Sequence, residues 1–154
     1  MNNKSIILIA IVIVIVAIVG FVSYNPFASA DNQVKVGAAT FTMPEGFHVG
    51  TDYNNENKIT NGYDTVLLED CGNDNISKYI KQYIKFKKSK DNTTKVKTQN
   101  FTVDDTVVYK VYPVNHTSTV HYWFKHDGEV YHMHNPNAGE NFEKIVIDLI
   151  RSVK

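Results

Sequence analysis

Four of the six histidines of this chain lie in one short segment, HYWFKHDGEVYHMHN, and imidazole nitrogen is a common ligand of transition metals. Asp127-Gly128 within it is typical of a two-residue hairpin turn, which pairs His121 with His134. Because residues two apart share a sheet face, His132 lies on the same side. The spacing predicts that His121, His132 and His134 bind zinc, copper or nickel weakly, with loss below pH ~6 as the imidazoles protonate.

Two alternatives stay open for this cluster. A bulged turn would shift the pairing by one residue and move the histidines of the two strands onto opposite faces. In the second alternative the imidazoles are not metal ligands but ordinary, half-packed side chains of a sheet. In the unshifted register the other face of the hairpin is apolar and belongs to the predicted core. It consists of Tyr122, Phe124, Tyr131 and Met133.

No sequence motif for catalysis is present. The chain lacks a glycine-rich phosphate loop, a Cys-x-x-Cys pair, His-Glu-x-x-His and Gly-x-Ser-x-Gly. Its paired acids, such as Glu69-Asp70 and Asp104-Asp105, fall at predicted strand ends or turns, where solvated charge is expected. The sequence therefore predicts a protein that is not an enzyme, and a small metal-dependent enzyme is the alternative.

A second candidate site is the exposed face of a predicted helix. Apolar residues recur there at helical spacing after the capping segment Asn73-Asp74-Asn75. This apolar stripe consists of Ile76, Tyr79, Ile80, Tyr83 and Ile84. The opposite face presents Lys78, Lys81, Lys85 and Lys88. Such a face can contact an anionic lipid surface or an acidic wall polymer, with a solvated lysine face as the alternative.

The remaining elements are short strands and one closing helix. The predicted strands are Val34–Thr42, Thr65–Leu68, Lys95–Phe101, Thr106–Val114, Thr119–His126 and Glu129–Asn135. Asp52–Gly62 is polar and is expected to be an exposed loop. The closing helix runs from about Gly139 to Val153 and has one apolar stripe. Strands with segregated helices predict an α+β fold, an antiparallel β-sheet with helices packed on it.

The first 24 residues decide where this domain lies. Ile6–Val22 has no charged residue and, as a helix, reaches roughly 26 Å, close to the ~30 Å hydrocarbon core. Lys4 precedes it and no charge follows until Asp31, which predicts a cytoplasmic N-terminus. We expect a single-pass anchor at 1–24, a linker at 25–33 and an extracytoplasmic domain at 34–154. The alternative is a signal peptide cleaved after Ala30, which gives a secreted protein.

The composition of the domain narrows its partners and its chemistry. From Asp31 onward, basic and acidic residues nearly cancel, so nucleic acid is not an expected partner. The single cysteine, Cys71, cannot form an intrachain disulfide; a packed side chain is expected, and a reactive thiol is the alternative. Candidate glycosylation acceptors in Asn-x-Ser/Thr sequons are Asn75, Asn92, Asn100 and Asn115, although an Asn-rich composition explains most of them.

Two stretches of the domain resemble PsbP-like domains. They are the opening FTMPEGF, at 41–47, and the closing hairpin followed by the helix with Phe142 and the stripe from Ile145 to Ile150. The resemblance implies an α-β-α sandwich and no active-site residues, since related domains are mostly non-catalytic binding or assembly modules. We therefore expect a membrane-anchored binding module with a protein or cell-envelope partner. A metal- or lipid-binding sensor domain is a further alternative to the enzyme.

Overall fold

The structure is a computed structural model that describes residues 32–50, 57–115 and 119–154. Over these residues the chain forms strands β1 (Gln33–Val36), β2 (Ala39–Thr42), β3 (His48–Gly50), β4 (Asn57–Thr60) and β5 (Thr65–Asp70), helix α1 (Ile76–Lys90), strands β6 (Val96–Val103), β7 (Thr106–Pro113), β8 (Val120–His126) and β9 (Glu129–Asn135), and helix α2 (Phe142–Ser152).

Seven of these strands form one sheet in the order β3-β4-β5-β9-β8-β7-β6, and every neighbouring pair is antiparallel. β1 and β2 form a separate antiparallel hairpin. With two helices packed on the described strands, the predicted α+β class with an antiparallel sheet is confirmed. The β8–β9 hairpin lies in the interior of this sheet, with strands paired on both of its sides.

The two faces of the sheet bury two different apolar clusters. α2 and the β1–β2 hairpin cover one face, where Phe124, Tyr131 and Met133 are almost fully buried. α1 covers the other face with Ile76 and Ile80, against Val111, Trp123 and Val130. Both clusters lie within Asn32–Lys154, which forms one compact unit. This segment therefore buries its own core and is expected to fold without residues 1–31.

The register predicted for the central hairpin is confirmed. His121 pairs with His134, and Trp123 pairs with His132. Asp127 and Gly128 both have positive φ, 49° and 86°, as a two-residue turn of type I′ requires. A bulged turn, and with it the placement of the histidines on opposite faces, is excluded.

Two predicted elements were wrong near the start of the domain. Residues 34–42 are not one strand, because Gly37, at φ 60°, turns the chain between β1 and β2. A side chain at Gly37 would overlap the carboxylate of Asp70, so the turn also needs glycine for its close approach to β5. The stretch Asp52–Gly62 is not simply an exposed loop either, because β4 lies inside it and Ile59 is fully buried.

The two helices agree well with their predicted positions. Asn75 caps α1, its side-chain Oδ1 accepting a hydrogen bond from the Ser77 N–H at 2.8 Å. The apolar stripe of α2 is buried as expected. It consists of Phe142, Ile145, Val146, Leu149 and Ile150. Beyond α2, Lys154 exchanges two backbone hydrogen bonds with Thr40, which ties the end of the chain to β2.

The predicted membrane anchor lies outside the described residues. Ile6–Val22, the cleavage site at 28–30 and the linker up to Asp31 all belong to that part of the chain. Between Asn32 and Lys154, the described helices are too short or too polar to cross a membrane.

Candidate metal centre

Three neighbouring strands place polar side chains on the sheet face beneath α1. Glu69 of β5 pairs with His132 of β9, and His132 pairs on its other side with Trp123 of β8. One step along the strands, His134 pairs with His121. The alternation of side chains then brings all of them to one face, so the three histidines predicted from the sequence are brought together.

A chain of hydrogen bonds runs across this face. His132 Nδ1 lies 2.7 Å from Glu69 Oε2, and His132 Nε2 lies 2.9 Å from His121 Nδ1. A carboxylate only accepts hydrogen bonds, so the neutral His132 imidazole donates from Nδ1 to Glu69. Its Nε2 then accepts the Nδ1 proton of His121. Glu69 thus fixes the tautomers of both imidazoles.

The aromatic rings of the face are stacked. The His132 ring lies parallel to the Trp123 indole, with 4.3 Å between centroids, and parallel to the His134 ring at 4.6 Å. From above, Tyr83 of α1 contacts the His121 ring at a centroid distance of 4.2 Å. The imidazoles are therefore held between neighbouring rings, which restricts the directions in which their nitrogens can point.

Burial keeps two of the imidazoles neutral. His121 and His132 are 9% and 8% exposed. Burial, with smaller contributions from His132, His134 and Lys87, lowers the pKa of His121 to about 2. The pKa of His132 is well below its ordinary value, again chiefly through burial and then through His134. Protonation of these two rings does not compete with metal near pH 6, unlike the protonation expected for exposed histidines.

The donor atoms that lie close enough to share one ion come from Glu69, His132 and His134. One carboxylate oxygen and one nitrogen from each imidazole all lie within 4.8 Å of one another. His121 is not in this group; its Nδ1 lies 2.9 Å from His132 Nε2, in hydrogen-bond contact. The donor atoms that converge therefore include Glu69, which the sequence did not suggest, and His121 lies beside them.

Sequence reasoning missed two residues of this centre, Glu69 and Tyr83. Glu69 was assigned to the solvated acids because nothing local shows that β5 pairs with β9, some sixty residues away. Tyr83 was counted in the apolar stripe of its helix. Its hydroxyl is buried without a hydrogen-bond partner among the described residues, and burial raises its pKa to about 12.

The other predicted sites lie apart from this face. Lys78, Lys81, Lys85 and Lys88 are exposed on α1, and Lys78 forms an ion pair with Asp74. The four sequon asparagines, Asn75, Asn92, Asn100 and Asn115, are also exposed. Cys71 is half-buried, and burial, followed by the charges of Glu69 and Asp70, raises its pKa to about 12. Its thiol is therefore protonated at neutral pH, as a packed cysteine should be.

No protein-family model and no curated protein matches this chain. Its structure is similar to the solution structure of cyanobacterial PsbP (CyanoP) from Synechocystis sp. PCC 6803, with a TM-score of 0.45 and 7% sequence identity. The alignment covers 82% of this chain and 94% of that chain.

Proposed function

We propose that this protein is a non-catalytic binding module that holds a divalent transition-metal ion, with Glu69, His132 and His134 as its ligands. The observation that carries the proposal is the convergence of three donor atoms within 4.8 Å on neighbouring strands of one sheet. Strands hold ligands more rigidly than loops do, so small rotations of the side chains suffice to close the site.

The donor types select the metal. Imidazole nitrogens with one carboxylate oxygen suit zinc, copper and nickel. They do not suit calcium and magnesium, which prefer oxygen ligands. Zinc binds such donors at about 2.0–2.2 Å, so the three atoms must move somewhat closer together around the ion. Three protein ligands leave one tetrahedral position for water or for a group from a partner.

His121 orients the proposed ligand His132 through a hydrogen bond. If the ion bound Nδ1 of His132, it would displace the proton that now lies between this atom and Glu69. His132 would then carry its proton on Nε2 and donate it to Nδ1 of His121, 2.9 Å away, and His121 would carry its own proton on Nε2. A second ring that accepts this hydrogen bond fixes the ligand's tautomer and orientation, and such partners change metal affinity 10–100-fold.

A binding role fits the surroundings of these donors better than catalysis. A small metal-dependent enzyme needs a substrate cavity beside its ion. Two concavities of the described residues, a groove of about 850 Å³ and a pocket of about 350 Å³, are lined by other residues. Together with the anchor predicted at 1–24, this favours a metal-binding module on the outer side of the membrane, toward an envelope or protein partner.

Calorimetric titration of residues 32–154 with zinc tests the proposal. We expect one site per chain, an affinity at least about tenfold weaker in Glu69→Gln, and little binding in His134→Ala. His48→Ala is the matched control, because His48 is an exposed histidine on β3, and it should bind like the wild type. No heat at millimolar zinc, or full affinity in His134→Ala, would overturn the assignment.

A further inference from the structure

A groove lies where the end of α1 meets the start of β6. None of the proposed metal ligands lines it. This groove has a volume of about 850 Å³. Three lysines, one from α1 and two from the β6 segment, line it together with apolar residues and an asparagine. Its principal lining residues are Ile84, Lys88, Asn92, Lys95, Lys97 and Val114.

The segment that forms this groove is strongly basic. Eight lysines and one acid, Asp91, lie between Ile76 and Val103, in a chain whose net charge is zero. The positive charge is therefore concentrated on this side of the domain and is balanced by acids elsewhere. Lysines around a concave surface concentrate counter-ions there more strongly than isolated surface lysines do.

The single acid of the segment, Asp91, takes part in the turn that follows α1. The carboxylate of Asp91 accepts hydrogen bonds from the Thr93 backbone N–H and hydroxyl, at 2.9 and 2.7 Å, and from the Thr94 hydroxyl at 2.9 Å. These bonds build the turn that follows α1. Lys88, Lys95 and Lys97 line the groove on either side of this turn.

We propose that this groove binds an extended polyanion, a linear polymer that carries phosphate or carboxylate groups. A groove of this size accommodates several charged units, and its floor of Ile84, Val96 and Val114 offers apolar contact to the chain between them. Three lysines in succession from two elements match repeated negative charges along a strand-like ligand. The site is independent of the proposed metal centre.

The shape distinguishes a polymer from a flat anionic membrane. A helix that lies in a bilayer interface buries an apolar or aromatic side chain next to its lysines. The exposed aromatic residue of α1 is Phe86, which contacts Lys90 at 5.6 Å. Two positions apart on a helix, Phe86 and Lys88 point about 200° apart. The aromatic side chain therefore lies on the flank of α1 away from the groove.

Titration of residues 32–154 with long-chain polyphosphate and with poly-L-glutamate tests this site, at about 0.01 M and about 0.15 M salt. The protein is made in a host without N-glycosylation, because a glycan on Asn92 would cover the groove. The test variant carries Lys88→Glu, Lys95→Glu and Lys97→Glu. The matched control carries Lys35→Glu, Lys125→Glu and Lys144→Glu, which change the net charge equally at other exposed positions.

We expect binding of at least one polymer that weakens with salt, falls at least about tenfold in the groove variant and persists in the control. Which polymer binds identifies the acidic group. Absence of binding to both polymers overturns the proposal. Equal loss in both variants also overturns it, because the attraction would then come from net charge alone. Binding to vesicles of anionic phospholipid without binding to either polymer would assign the lysines to a membrane instead.

Discussion

Trp123 lies beside the candidate metal ligands, so its fluorescence can test the proposed metal binding. It is the single tryptophan of the chain, and its indole lies 4.3 Å from the His132 ring. Copper(II) and nickel(II) quench the fluorescence of an indole in near contact, whereas zinc does not. We expect stoichiometric quenching by copper, reversal when excess zinc competes, and a much weaker response in His134→Ala. Quenching that is unchanged in that variant would place the copper elsewhere.

His121 makes the stability of the fold depend on pH. Its pKa falls from an ordinary 6.5 to about 2 in the folded chain, so between these values the unfolded chain binds a proton that the folded chain does not. Stability is therefore full above pH 6.5 and is lost as the pH falls below it. At pH 5.5, one unit below the ordinary pKa, this ring lowers the free energy of unfolding by about 1.4 kcal/mol.

Urea unfolding at pH 7.0 and 5.5 measures this loss. The difference in unfolding free energy between the two pH values should be smaller in His121→Phe, which cannot titrate, than in the wild type. His48→Ala serves as the control for removing an exposed histidine. An identical difference in wild type and His121→Phe would show that His121 does not titrate as its burial requires.

Tyr83 and Tyr79 allow a comparison within one helix. The buried hydroxyl of Tyr83 has no hydrogen-bond partner in the described part of the chain, whereas the hydroxyl of Tyr79 donates to the carbonyl of Cys71. Removing an unpaired buried hydroxyl relieves a desolvation cost, and removing a paired one leaves an acceptor unsatisfied. We expect Tyr83→Phe to be neutral or stabilising by about 1 kcal/mol and Tyr79→Phe to be destabilising by a similar amount. The reverse order in thermal melts would contradict this account.

Apolar packing holds α2 to the sheet, together with polar contacts such as the hydrogen bond that Glu143 accepts from the Tyr122 hydroxyl at 2.9 Å. Val146 and Leu149 are fully buried and Ile150 is 3% exposed. Replacing Val146 or Leu149 by alanine should cost about 2–4 kcal/mol, through lost burial and the cavity left behind. Ile150→Asp should cost more, because it buries a charge. Denaturant melts of residues 32–154 give these values, with Lys144→Ala as an exposed control on the same helix. Unchanged midpoints would mean that α2 is not docked.

Elements with local signals were predictable from the sequence, and those without were not. The β8–β9 hairpin carries its own turn, and both helices carry an apolar period, so their positions and the register of the histidines followed from neighbouring residues. β3 and β4 are short and mostly polar, and they exist because β4 pairs with β5 and β3 pairs with β4. The pairing of β5 with β9, which places Glu69 beside His132, is also non-local and has no sequence signature.

The two proposed sites lie in different parts of the domain, one on a face of the sheet and one at its edge. α2 and the β1–β2 hairpin close one face of the sheet with an apolar core. The opposite face, beneath α1, holds the candidate metal ligands, and the basic groove lies where α1 meets edge strand β6. Occupancy of one site therefore need not block the other. A metal-bound domain could still take up a polymer.

The predicted anchor would attach this domain to the membrane. If Ile6–Val22 is retained as an anchor, the mature protein begins at or near Met1 and leaves the membrane fraction only with detergent. High salt or alkaline washing should not release it, because a helix buried in hydrocarbon is held by its apolar surface rather than by charge. N-terminal sequencing and fractionation decide this. A mature protein that begins at Asp31 and stays in the soluble fraction would establish cleavage after Ala30. In that case the domain acts as a secreted binding module.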